Sequence, residues 1–226
     1  MPDVLSGASI VFDLDGTLVD TAPDLVRALN AVTADEGLAP ISAELVRNMV
    51  GRGARVLIQR AFAHDGRPLD DDASTALTAR FLEIYREGID RESRPFPGME
   101  DALDEMAARG AELSVATNKP ADLSVLLLER LNMAGRFARI VGADTAPQKK
   151  PDAAHLFAAA GPGADAARMV MVGDSETDVS AARNAGCPVI VMSYGYTETP
   201  AKELGADRVL DDCRTLVHAL EDVLAR

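Results

Sequence analysis

Cysteine, histidine and positive charge are all scarce in this chain, and each shortage removes a class of function. The two cysteines, Cys187 and Cys213, stand in neither a CxxC nor a metal-ligand spacing. That excludes a disulfide framework and a thiolate metal centre, and it fits a reducing compartment. The histidines His64, His155 and His218 lie far apart with no ligand or triad spacing. His155 and His218 fall in helical patterns and read as packed or exposed structural residues, His64 as a loop residue. Lys plus Arg is 23 against 36 for Asp plus Glu, giving a formal net charge of -13 and a pI near 4.6. Such a field repels a duplex backbone and excludes general nucleic-acid binding, although a local cluster of donors with a metal can still hold a small anion. Long apolar runs are missing too: none approaches the ~20 residues of a membrane span. No basic segment leads into an apolar one at the N-terminus, so no signal peptide is expected. Together these features predict a soluble cytoplasmic protein without nucleic acid or membrane as partner, and they leave monomer or homodimer open.

What is present is ordinary globular material. Of 226 residues, 47% are hydrophobic and 26% charged, and a chain of this length can bury roughly 70% of its unfolded surface. Short apolar runs recur at Ile10–Phe12, Leu113–Ala116, Arg139–Val141, Met169–Val172 and Val189–Met192, with a weaker one at Arg208–Leu210. Runs this short and this apolar read as strands buried on both faces. Helical patterns separate them at Met99–Arg109, Pro120–Leu131, Asp152–Ala160 and Glu176–Ala185, with Gly110 and Gly186 as stops. Alternating strand and helix predicts βαβ units and a parallel sheet.

One stretch breaks the alternation. From Thr21 to Ser93 the periodicity is helical throughout: a stripe of Leu25, Val26, Leu29 and Val32 with Pro23 in the first turn and Gly37 at the end, then patterns near 42–50, 54–63 and 71–86. The chain returns through the stiff connector Arg94-Pro95-Phe96-Pro97-Gly98. This predicts a helical subdomain over 20–93 inserted into a core made of 1–19 and 94–226.

Open parallel sheets place their sites beyond the carboxyl ends of the strands. There this sequence carries Asp13-Leu14-Asp15-Gly16-Thr17-Leu18-Val19-Asp20, Thr117-Asn118, Lys149-Lys150-Pro151 and Gly173-Asp174-Ser175-Glu176-Thr177-Asp178. A lone Asp-x-Asp means little in so acidic a chain, and Asp70-Asp71-Asp72 reads as a helix cap or a solvated loop. Four polar clusters at four strand ends, bringing carboxylates, a hydroxyl and an ammonium to one edge, mean more. Asp20 reads as the cap of the first inserted helix, and Tyr194 and Tyr196 as packing residues in a glycine-rich turn. Gly51-Arg52-Gly53 has no strand before it and is no dinucleotide fingerprint.

In order and content the four clusters resemble the motifs of the haloacid dehalogenase-like phosphohydrolases, over essentially the whole chain. Asp20-Thr21-Ala22-Pro23-Asp24-Leu25, Val50-Gly51-Arg52-Gly53-Ala54 and Phe96-Pro97-Gly98 look most like the helical-cap phosphoglycolate phosphatases of that superfamily. The resemblance implies an α/β fold, a Rossmann-like doubly wound parallel sheet core with an inserted α-helical cap subdomain. It implies a Mg²⁺-dependent phosphatase acting on a small phosphomonoester, 2-phosphoglycolate first, through an aspartyl-phosphate. Asp13 would be the nucleophile and Asp15 the acid and base. Thr117, Asn118 and Lys150 would hold the phosphoryl group, the family placing the lysine directly before proline and so favouring Lys150 over Lys149. Asp13, Asp174 and the main-chain carbonyl of Asp15 would hold the metal, with Asp178 behind them. The run Asp152-Ala153-Ala154-His155 departs from the family's proline-rich pattern after that lysine, which touches helix geometry and not chemistry.

The residues prune the relatives. Lysine occurs only at 119, 149, 150 and 202, so the Schiff-base chemistry of the phosphonate-cleaving branch, which needs a cap lysine, is out. Asp15 and Asp174 argue against the metal-free dehalogenases, and Ala22-Pro23-Asp24-Leu25 against the sugar phosphomutases. A cap arginine, Arg52 or Arg55, is the candidate for a substrate carboxylate. Two alternatives stay open: another small substrate (a sugar phosphate, nucleotide or pyrophosphate), and an aspartate phospho-receiver that does not turn over. Asp15 and the cap speak against the receiver.

Overall fold

Strand β1 (Ser9–Phe12) is buried along Ile10, Val11 and Phe12, and a strand that is apolar on both faces can only be satisfied in the middle of a sheet. The computed structural model, which describes residues 3–225, places it there. The elements that follow are β2 (Val19–Asp20), α1 (Ala22–Asp35), α2 (Ala43–Arg47), α3 (Ala54–His64), α4 (Asp71–Glu87) and β3 (Arg94–Pro95). Next come α5 (Met99–Ala108), β4 (Glu112–Ala116), α6 (Ala121–Arg130), β5 (Arg139–Val141), α7 (Ala153–Ala160), β6 (Met169–Gly173) and α8 (Glu176–Ala185). The chain finishes with β7 (Val189–Met192), β8 (Arg208–Leu210) and α9 (Leu216–Leu224).

The six predicted strands form one parallel sheet in the order β5-β4-β1-β6-β7-β8. Alternate residues divide its faces. Phe12, Val115, Val172 and Ile190 join a core with α5, α6, α9 and the inserted helices, while Val11, Met171 and Val191 pack on α7 and α8. The strand order reverses at β1, which opens the crevice where ligands enter such sheets.

The helices α1–α4 lie between β2 and β3, with α1 and α3 packed on α4. Leu25, Leu29 and Val32 form the buried stripe of α1 as their spacing predicts. Asp70 caps α4 by accepting from Ala73 N at 2.8 Å. The helices share one continuous apolar cluster with the sheet: Leu57, Ile58, Phe81 and Tyr85 belong to the same buried group as Phe12 and Leu113.

Two features were outside the predicted set, α9 and the antiparallel pair β2–β3. The pair matches Val19 with Pro95 and Asp20 with Arg94; two residues are too few for any periodicity to show. This pairing also corrects the reading of Asp20. Thr21, not Asp20, stands at the N-cap of α1, and no side chain caps that helix. Held in β2, Asp20 instead accepts from the Tyr196 hydroxyl and pairs with Arg47 at 3.2 Å.

Beside that pair, a fully buried carboxylate ties the outgoing chain to the returning one. Asp24 Oδ2 accepts from Glu92 N (2.9 Å), Ser93 N (2.8 Å) and Ser93 Oγ (2.8 Å). Burial works against its charge, but these bonds and Arg27 outweigh it and hold the carboxyl below its ordinary value of 3.8. Asp24→Ala would strand the buried amide and hydroxyl of Ser93 and is expected to lower unfolding stability by about 2–3 kcal/mol at pH 7 in urea titrations. A depressed carboxyl contributes fully above its unfolded pKa and loses that contribution as pH falls through the lower folded value. The gap between variant and wild type should therefore be constant above about pH 5 and narrow progressively as the pH falls through 3.8 toward the lower folded value.

Candidate active site

The first strand delivers the centre of the site. Asp13 directly follows β1, and its amide continues the ladder by donating to Val172 O at 2.9 Å. Its Oδ1 accepts from Leu14 N (2.7 Å) and faces Lys150 Nζ at 3.0 Å, so among the described residues Oδ2 is the oxygen left for a ligand. Burial, opposed by Lys150 and helped by the charges of Asp178 and Asp15, pushes its carboxyl up to about 6. The chain then turns on Gly16, whose φ is +85° and whose position leaves no room for a side chain: a Cβ there would stand 2.5 Å from Asp174 Oδ2. Buried Leu14 and Leu18 pin the turn from below.

The end of β6 delivers the second carboxylate. Asp174 Oδ1 accepts from Thr17 Oγ1 (2.8 Å) and Oδ2 from Tyr196 N (2.5 Å). Burial first, then Asp178 and Asp13, pushes its carboxyl well above the usual range. Asp178 sits one turn into α8, where it and Ser175 form a reciprocal cap. Its Oδ2 takes the amides of Asp174 and Ser175 and the Ser175 hydroxyl, and its Oδ1 takes Lys150 Nζ at 2.6 Å. Tyr194 and Tyr196, read from sequence as packing, also carry polar bonds: Tyr194 donates to Thr17 O at 3.0 Å, and Tyr196 holds Asp174 and Asp20.

Lys150, not Lys149, faces Asp13: Lys150 is buried and Lys149 exposed. Burial opposes its charge, but Asp13 and Asp178 prevail and raise its pKa. The loop that carries it is shaped by His155, whose Nδ1 accepts from Lys150 N at 3.1 Å. That bond requires a neutral ring with the proton on Nε2, which lies 3.1 Å from Val141 O, and burial holds the imidazole down to about 4. His155 is a structural residue.

One oxygen from each of Asp13, Asp174 and Asp178 can come within 4.8 Å of the others. Three buried carboxylates against a single ammonium leave an excess of negative charge, and the donors are all oxygens. The set fits a hard divalent cation. Asp178 takes three donors on Oδ2 and the Lys150 ammonium on Oδ1, whereas each Asp174 oxygen accepts one bond and Asp13 Oδ2 accepts none among the described residues, so Asp13 and Asp174 have the greater free capacity.

The end of β4 supplies Thr117, Asn118 and Lys119. Thr117 Oγ1 accepts from Lys119 N (3.3 Å), which leaves its hydrogen free to donate. Asn118 Nδ2 donates to Gly51 O of the inserted segment (3.2 Å) and to Lys150 O (3.1 Å), while its buried Oδ1 has no hydrogen-bond partner among the described residues. Sequence reasoning passed over Lys119. Its Nζ lies 2.9 Å from Asp15 Oδ1 and 3.3 Å from Oδ2, donates to the Tyr85 hydroxyl at 2.9 Å, and sits 4.3 Å from the centre of the Tyr85 ring. Burial opposes its charge, and Asp15 and Tyr85 more than compensate. The one clue in the sequence was its place directly after Thr117-Asn118.

A pocket joins these groups, lined by Asp13, Asp15, Thr117, Asn118 and Lys119 from the sheet side and by Leu25, Leu57, Phe81, Leu82 and Tyr85 from the insertion. Arg52 and Arg55, the arginines considered for a substrate carboxylate, do not line it. Arg52 is half exposed at an outer cleft, 3.8 Å from Glu176, and Arg55 pairs with Asp71 at 2.8 Å.

Comparison with known proteins agrees with this geometry. The model of the haloacid dehalogenase-like hydrolase family matches residues 10–192. A phosphoglycolate phosphatase of Caulobacter vibrioides is 51% identical over 91% of this chain and 87% of its own. One from Agrobacterium fabrum is 46% identical over 95% and 92%. The solved structure of a predicted phosphoglycolate phosphatase from Haemophilus somnus superposes with a TM-score of 0.88 at 32% identity, covering 94% of this chain and 97% of that one.

A divalent cation that binds only the folded protein should raise the melting temperature, by the equivalent of about 2.7 kcal/mol at a hundred times its dissociation constant. The gain should vanish on chelation and in Asp174→Asn. Because Asp13, with a pKa of about 6 without metal, must lose its proton to coordinate, the gain should be smaller at pH 5 than at pH 7.5. Differential scanning calorimetry at the two pH values checks both.

Proposed function

This chain belongs to the haloacid dehalogenase-like hydrolase family, and from that we propose that it is a phosphatase that hydrolyses 2-phosphoglycolate to glycolate and phosphate in the cytoplasm. The observation that carries the reading is the meeting of Asp13 and Asp174, at the adjoining ends of β1 and β6, with Lys150 from the loop after β5, beside a pocket that Asp13 and Asp15 line together with the inserted helices. The phosphoglycolate phosphatases among its relatives support the substrate.

Asp13 Oδ2 attacks phosphorus, the bond to the ester oxygen breaks, and Asp15 gives that oxygen its proton, so glycolate leaves neutral at the hydroxyl. Asp15 then takes a proton from water as the water oxygen attacks the aspartyl-phosphate, the P–O bond to Asp13 breaks, and phosphate is released. Lys150, fixed by Asp178, and the Thr117 hydroxyl meet the charge on the phosphoryl oxygens. Mg²⁺ held by Asp13, Asp174 and the Asp15 carbonyl would neutralise the remainder. The insertion serves as a cap: Leu25, Leu57, Phe81 and Leu82 keep bulk water from the acyl phosphate until glycolate has gone. A reducing cytoplasm suits the free, buried thiols of Cys187 and Cys213.

Phosphate release with Mg²⁺, measured over 2-phosphoglycolate, p-nitrophenyl phosphate, sugar phosphates, nucleotides and pyrophosphate, tests the reading. 2-Phosphoglycolate should lead in kcat/KM, and Asp13→Asn should lower kcat on it by at least about a thousandfold. Comparable turnover in Asp13→Asn would dismiss the mechanism, and a different leading ester would dismiss the substrate.

A further inference from the structure

The pocket has two ends, and the nucleophile accounts for only one. The phosphoryl group belongs with Asp13, Thr117 and Lys150. Beyond them the insertion contributes an apolar wall, and Lys119 is the one cationic side chain among the described residues lining the pocket. Lys119 is 7% exposed, and an ammonium is seldom placed so deep without work for all its donors. Its ammonium donates to the Tyr85 hydroxyl at 2.9 Å and to Asp15 at 2.9 Å (Oδ1) and 3.3 Å (Oδ2). The 3.3 Å contact is the weakest of the three, the one a substrate carboxylate in the pocket can replace.

We propose that Lys119, with the hydroxyl of Tyr85, is the carboxylate receptor that sets substrate choice, selecting phosphate esters of short 2-hydroxy acids over neutral esters of the same length. This deepens the reading given above and rests on it.

Reach decides which carboxylates Lys119 can meet. Asp15 must touch the ester oxygen in order to protonate it, and in a 2-hydroxy acid phosphate one carbon separates that oxygen from the carboxyl carbon. A cation 2.9 Å from Asp15 is therefore within the short span at which such a carboxylate must lie. A carboxylate one or two carbons further along would overrun Lys119 into the apolar wall of Phe81 and Leu82. Tyr85 adds a donor, because its hydroxyl accepts from Lys119 and keeps its own hydrogen, which burial holds in place by pushing the phenol up to about 12. Its ring lies nearly parallel to that of Phe81, at 5° with centroids 6.0 Å apart, which fixes the hydroxyl over the ammonium. Tyr85 belongs to α4 and Lys119 follows β4, so the receptor is complete only when the insertion is closed on the sheet.

The test compares 2-phosphoglycolate with 2-hydroxyethyl phosphate, which replaces the carboxylate by a hydroxymethyl group, in wild type, Lys119→Met, Lys119→Gln and Tyr85→Phe. The readout is the ratio of the two kcat/KM values within each protein, so that any disturbance of Asp15 affects both substrates and cancels. Wild type should favour 2-phosphoglycolate by about a hundredfold or more, a charge-assisted contact being lost in the analogue. Both Lys119 variants should bring the ratio to within about fivefold of unity, chiefly through a higher KM for 2-phosphoglycolate, and Tyr85→Phe should cut it by about three- to tenfold. Lys119→Gln, one atom shorter, keeps a neutral hydrogen-bonding group at the end of the side chain, and Lys119→Met keeps an unbranched apolar stem, so agreement between the two guards against loss of fold. A wild-type preference that survives in both Lys119 variants would overturn this proposal and leave the phosphoglycolate reading standing. Equal hydrolysis of both esters by wild type would overturn the phosphoglycolate reading, and this proposal with it.

Discussion

Lys150 is buried between two buried carboxylates, and the site can be read outward from that contact. The ammonium lies 3.0 Å from Asp13 and 2.6 Å from Asp178. Charges so deep are tolerated only when each is paired and each remaining lone pair is bonded, and the surrounding structure meets that demand. Asp178 is satisfied by the cap of α8, Asp13 by the amide of Leu14, and the Lys150 loop by His155. Removing any of these partners would leave a buried charge or a buried amide stranded, so strand ends, helix cap and loop are mutually fixed. The residual negative charge of Asp13 and Asp174 is what calls for a metal.

A chain with a net charge of -13 that binds an anion must concentrate its cations. It does so by burying two of its few lysines, each tied to an aspartate of the first cluster: Lys150 to Asp13 and Lys119 to Asp15. The arginines are spent on the surface. Several of them link the insertion to the core, as Arg60 does to Glu198, Arg86 to Asp122 and Arg52 to Glu176. These exposed pairs add little stability each, and closure relies on the apolar cluster that the insertion shares with the sheet.

The fold was legible because buried parallel strands announce themselves as apolar runs, and the site because such sheets bind at their carboxyl ends. Asp13, Asp15, Thr117, Lys150, Asp174 and Asp178 could all be located that way. What escaped depends on contacts without a local pattern. An aspartate just ahead of a helix looks like a cap, and only the pairing of β2 with β3 reveals that Asp20 is turned elsewhere. The acceptor for Lys119 besides Asp15 is a tyrosine 34 residues earlier in the chain, and a search for a cation within the insertion passes over a lysine supplied by the sheet. Asn118, assigned from sequence to the phosphoryl group, uses its side-chain amide to tie Gly51 to Lys150, a link between three separate segments.

The central position of β1 also constrains the order of events during synthesis. Ser9 pairs with Glu112 on one side and with Met169 on the other, so the first strand made waits for partners from the middle and the last third of the chain. Distant pairing of this kind slows folding, because loop entropy is lost before the contacts form. It also means that a growing chain carries Asp13 and Asp15 long before Lys150 and Asp174 exist. No fragment short of β6 and the start of α8 can assemble the charge constellation, so the capacity to handle a phosphoryl group arrives late and all at once.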